Sequence, residues 1–145
     1  MSFAMQHALK AYAKVDVETG VSTADPHKLV LMLFDGAIAA VIDAQRHLAA
    51  GAVAARGESI SKAIMILQEG LTASLDVKAG GAMAENLASL YDYMARRLLA
   101  ATVKGDGHAL EEVRILLGEL RGAWASIPAG KTQTAAVSGV TARAA

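Results

Sequence analysis

The chain contains no cysteine, so neither a disulfide framework nor thiol chemistry is open to it. That absence suits the cytoplasm. Charge of one sign is also missing: Lys and Arg total 14 and Asp and Glu total 14. A balanced chain has no basic face for phosphates, which excludes nucleic acid as an expected partner. Long uncharged apolar runs are absent too. Asp35 and Asp43 interrupt the strongest stretch, far short of the ~20 residues that a membrane span needs. Residues Met1 to Lys10 carry neither a basic segment nor a continuous apolar one, so no signal peptide is read and the expected location is the cytosol.

Familiar catalytic patterns are missing as well. No Glu-x-x-His pair exists, so a di-metal carboxylate bundle lacks its ligands, and neither a metal nor a cofactor is expected. Gly80-Gly81 and Gly105-x-Gly107 fall where helices end, which accounts for them without a phosphate-cradling loop. His47, on a helix beside Arg46, is the one candidate for phosphoryl relay. The lysine that such a site would want after it is Leu48-Ala49, so a solvated or locally bonded histidine is the simpler reading.

What is present is apolar and helix-forming. Hydrophobic residues make up 54% of the 145, aromatics only 4%, and much of the excess is alanine. Alanine loses no side-chain entropy in a helix. Asp25-Pro26 opens the first helix, the carboxylate capping free N–H groups and the proline taking the first helical position. It is expected to run from 26 to 50. A second helix is expected from 57 or 58 to 77, a third from 81 to 103, and a fourth from 108 to 127, closed by Pro128. Short connections make such helices antiparallel neighbours, so the expected fold is an all-α, antiparallel four-helix bundle. The bundle domain covers 25–127, an N-terminal arm 1–24 and a loose C-terminal tail 128–145, the tail having too little to bury to offset its ordering entropy.

The fourth helix has one stripe, Leu110, Val113, Leu117, Leu120, Trp124 and Ile127, at the three-four spacing of a bundle seam. The second has two: Ile60, Ile64, Leu67, Leu71 and Leu75, and beside it Ala63, Ile66, Gly70, Ala73 and Val77. The third carries Met83, Leu87, Leu90, Met94 and Leu98 next to Ala84, Ala88, Tyr91 and Ala95. A spare seam faces a neighbour inside an irregular core, a homodimer partner, or a groove for a client helix.

One ordered set of residues resembles a known family. Ala11-Tyr12, Val21 to Leu29 with its Asp25-Pro26-His27-Lys28, and Met32-Leu33-Phe34-Asp35-Gly36-Ala37 are followed by Lys62-Ala63-Ile64 through Leu71 to Asp76. Then come Gly80-Gly81, Asn86-Leu87, Leu90-Tyr91-Asp92-Tyr93-Met94 with Arg97-Leu98, and finally Glu111-Glu112-Val113, Leu116-Leu117 and Ala123-Trp124. This is similar to the flagellar secretion chaperones of the FliS family, over residues 9 to 127. The resemblance implies a cytoplasmic bundle that catalyses nothing and binds the disordered C-terminal segment of flagellin. It would thereby prevent premature polymerisation and help delivery to the export gate membrane protein. It also implies an arm lying over the client groove, although here only Tyr12 fits the family's arm tyrosines and Thr102 stands where the family has Asn. Tyr12, Ile60, Ala63, Ile64, Ile66, Leu67, Leu71, Leu87, Tyr91, Met94 and Leu98 are the expected partner-binding residues. The competing functions are a homodimeric structural bundle and phosphotransfer through His47.

Overall fold

The computed structural model describes residues 25–127. The expected arm and tail lie outside the described residues, and so does Tyr12. Among the described residues four helices follow one another: α1 over Pro26–Ala49, α2 over Val53–Met65, α3 over Val77–Lys104 and α4 over Gly107–Ala125. A wider-wound π-helical segment, Ile66–Thr72, prolongs α2. No strand occurs among the described residues, and the fold is an all-α bundle.

Three helices start on an aspartate. Asp25 Oδ1 accepts from the His27 and Lys28 amides at 3.0 and 3.4 Å. Asp76 accepts from Ala79 at 3.0 Å, and Asp106 from His108 and Ala109 at 3.0 and 3.3 Å. Each cap satisfies amides that the helix cannot pair. The turn after α3 forms where expected: Gly105, at φ 64°, donates its amide to Ala101 O at 2.9 Å.

Two boundaries correct the sequence reading. Helix α2 begins at Val53, ahead of the expected 57, because Gly51 at φ 70° turns the chain at once and Ala52 precedes the helix without a side-chain cap. Its π-helical continuation ends at Thr72, and Val77 belongs to α3, since Asp76 is a cap and not a late position of the second helix. Helix α3 carries a break at Gly81, at φ 55° and ψ −135°, a conformation in which only glycine is comfortable.

The helices form a ring: α1 packs on α2 and α4, while α3 packs on α4, α2 and the π segment, and diagonal helices do not meet. Crossing pairs set the directions. His27 meets Trp124, Asp35 meets Arg121 and Gln45 meets Glu111, so α1 and α4 run antiparallel. The core holds Leu33, Phe34 and Val41 of α1, Ile60 of α2, Ile66, Leu67 and Leu71 of the π segment, Met94 and Leu98 of α3, and Leu110, Val113 and Leu117 of α4. Burying each large side chain is worth about 1.5–3 kcal/mol. An exposed ion pair such as Arg96–Asp92 contributes about 0–1 kcal/mol, so apolar packing decides the fold.

Candidate functional site

The structure places most of the expected partner-binding side chains inside. Ile60, Ala63, Ile66, Leu67, Leu71, Leu87, Tyr91, Met94 and Leu98 are all buried. Ile64 is half-buried and rests against the same cluster. Both seams of the second helix are absorbed as far as Leu71, because the π segment widens the inward arc enough to take Ile66, Leu67, Gly70 and Leu71 together, while Ala73 and Val77 at the end of the second seam stay exposed. Gly70 makes this arrangement possible: a Cβ there would lie 2.9 Å from Leu33 Cδ2. Burial pushes the Tyr91 phenol well above its ordinary value, so the ring stays neutral among the leucines.

The apolar surface that remains open lies elsewhere. On α3, Leu98 is 0% exposed, whereas Leu99 is 57% and Val103 77% exposed. Leu99 and Val103 are one helical turn apart and so lie side by side. Arg56 ties α2 to this edge, donating from Nη2 to Thr102 O at 3.2 Å, and Val53, one turn before Arg56, is also exposed. Val53, Leu99 and Val103 thus share the α2–α3 edge at the end where α2 starts and α3 stops. A second exposed set comprises Ile42 of α1 and Ile115 of α4, the latter on a helix that also presents Gly118 and Gly122 to solvent. A Cβ added to either glycine would meet nothing within 4 Å.

Neither set was singled out in the sequence. The signal existed: Leu99 and Val103 share a helical spacing that is offset from the Leu87–Leu98 seam. In a chain so rich in apolar residues such an offset pair is hard to separate from core.

Polar groups fasten the margins. Glu112 accepts from Tyr93 Oη and from Arg97 Nε, both at 2.7 Å. The Tyr93 hydroxyl and then Arg97 hold its carboxyl below the usual range. Glu111 accepts from Arg114 Nη2 at 2.8 Å and from Gln45 Nε2 at 3.2 Å, and these two donors bring its pKa down to about 2. At the far end of the α1–α4 seam, His27 and Trp124 clasp each other. Trp124 Nε1 donates to His27 O at 2.9 Å, and His27 Nε2 lies 2.9 Å from Trp124 O. A carbonyl can only accept, so Nε2 carries the proton. The rings stack with centroids 5.2 Å apart. This pairing has no local signal in the sequence, because the two partners lie 97 residues apart.

These groups fasten one helix to the next. His47 is half-buried, and no side chain among the described residues hydrogen-bonds its ring. Among those residues no three His, Asp or Glu stand close enough to hold a metal, and no helix is long and apolar enough to cross a membrane.

The class defined by this geometry is an antiparallel four-helix bundle with a filled core and apolar side chains left along its outer edges. Its relatives make the class specific. The family model described as flagellar protein FliS matches residues 8–131. The flagellar secretion chaperone FliS of Salmonella typhimurium is 51% identical over 119 residues, which are 82% of this chain and 88% of that protein. That of Escherichia coli is 41% identical over 79% of this chain and 85% of its own length. That of Bacillus subtilis is 31% identical over 83% and 86%. The chain belongs to the FliS family of flagellar secretion chaperones.

Proposed function

We propose that this protein holds the disordered C-terminal segment of flagellin in the bacterial cytosol, keeps it from polymerising early, and helps present it to the export gate membrane protein. The observation that supports this reading is a bundle of a secretion-chaperone family whose core is already filled, yet which leaves Val53, Leu99 and Val103 in solvent. The physics is helix-in-groove recognition coupled to folding of the client. Ordering the client costs on the order of 2–5 kcal/mol, so the contact has to be long and largely apolar. The exposed Val53, Leu99 and Val103 offer the open apolar start of such a contact. The chemistry asked of the protein is binding alone, with no bond made or broken.

The test mixes the full chain with flagellin and with flagellin lacking its C-terminal segment, and reads mass by size-exclusion chromatography with multi-angle scattering. A one-to-one complex with the intact client only is the expected result. No complex with either sinks the proposal, and a self-associated dimer that ignores flagellin supports a structural bundle instead. Changing Leu99 and Val103 together to Asp is expected to weaken binding by about 2 kcal/mol or more, roughly thirtyfold in Kd, with helicity unchanged. Leu98→Asp, one residue away, is expected to unfold the chain, since it buries an unpaired charge.

A further inference from the structure

Between the π segment and the main body of α3 lies a short stretch that is fastened differently from the rest. Ala73, Asp76, Val77, Lys78 and Ala79 are exposed, and Leu75 is the one large apolar residue here that packs against the core. The polar bonds of this stretch are local. Ser74 donates through N to Gly70 O at 3.1 Å and through Oγ to Leu71 O at 2.8 Å, and Gly80 N reaches Asp76 O at 2.7 Å. No hydrogen bond among the described residues ties residues 73–80 to α1 or to α4. Each flank is a place where the chain departs from α geometry. On one side is the π segment, closed by Thr72 Oγ1 donating to Leu67 O at 2.8 Å. On the other is Gly81, with φ 55° and ψ −135°, where an added Cβ would meet nothing within 4 Å. Departures of this kind concentrate where a chain bends or switches, and hinges are a few residues that absorb the change in φ and ψ.

We propose that residues 73–80 form a hinged strap over one end of the bundle, pivoting at Gly81 and at the π segment and latched by Leu75. Lifting the latch uncovers the core where Leu71 ends the buried part of the π segment and Leu87 lies near the start of α3. The strap thereby gives an apolar helix access to side chains that the closed bundle hides. This last step rests on the client reading above; the hinge itself does not. A strap latched by one apolar residue between two departures from α geometry is expected to open at a small fraction of the free energy of global unfolding.

Native-state hydrogen exchange on the full chain tests the hinge without any client. Amides of residues 73–83 and of the π segment are expected to exchange faster than those of Val41 and Val113. Leu75→Ala is expected to speed that group roughly tenfold while leaving Val41 and Val113 unchanged. Gly81→Ala, which puts a side chain where only glycine is comfortable, is expected to loosen the same group selectively. Uniform acceleration everywhere, or strap amides that exchange at the rate of the core, overturns the hinge. With a flagellin C-terminal peptide, Leu75→Ala is expected to raise the association rate. A peptide that binds both forms at one rate overturns the gating role. A peptide that binds neither, while the strap still exchanges as expected, leaves the hinge standing and defeats the client reading.

Discussion

Gly70 and Gly118 are both helical glycines, and the same substitution is expected to act on them in opposite directions. Alanine at Gly118 meets nothing within 4 Å and gains roughly 0.5–1 kcal/mol from better helix propensity. Alanine at Gly70 gains no more than that and forces its methyl against Leu33, which is 0% exposed and has nowhere to go. Overpacking of this sort costs about 1–3 kcal/mol, so Gly70→Ala should be net destabilising and Gly118→Ala stabilising. Urea midpoints of the two variants check the signs. Trp124→Phe keeps a ring against His27 but removes the Nε1 donor to the His27 carbonyl, with an expected loss of about 0.5–1.5 kcal/mol. At this scale the sequence was legible only in part. Asp25 could be read as a cap because its partners are the next few amides. Gly70 could not be read as a contact with Leu33, because that contact exists only once two helices have met.

Among the elements, α4 is the one on which acid should act most directly. Glu111 joins it to α1 through Gln45, and Glu112 joins it to α3 through Tyr93 and Arg97. Both carboxyls titrate below their unfolded value, so they favour the folded state at pH above the ordinary glutamate range of about 4.3. That contribution fades as pH falls through the folded value, which for Glu111 is about 2. Stability should therefore drop between about pH 5 and pH 2, and Glu111→Gln should flatten part of that slope when denaturation is followed by circular dichroism across pH. Both pairs are solvent-accessible, so salt should reduce the effect. The existence and order of the helices could be read from caps and turn glycines. Their limits around residues 66–81 could be read only in part: Gly80-Gly81 marked an interruption, which the structure has at Gly81, but a π turn leaves no mark in a helical period. Asp76-Val77 did carry a cap signal, but the apolar run reaching Val77 disguised it.

For the whole molecule, the ring of helices decided what periodicity had left open. A chain that is 54% hydrophobic offers more apolar seams than four helices need, and only their mutual packing selects the winners. That is why the residues expected to hold a partner, such as Ile60, Leu67 and Met94, turn out to be buried, while Leu99 and Val103 face water. Overall class was legible from composition, and the family from its ordered motifs. The outward edges were not, since exposure belongs to the assembled bundle. One arrangement at the rim has an optical consequence. The chain holds a single tryptophan, Trp124, and it is stacked on His27. All indole emission therefore originates at the joint between the first and last helices. A ligand settling on the α2–α3 side should leave the spectrum dark to its arrival, while one that pries α1 from α4 should shift the colour at once, with no label attached.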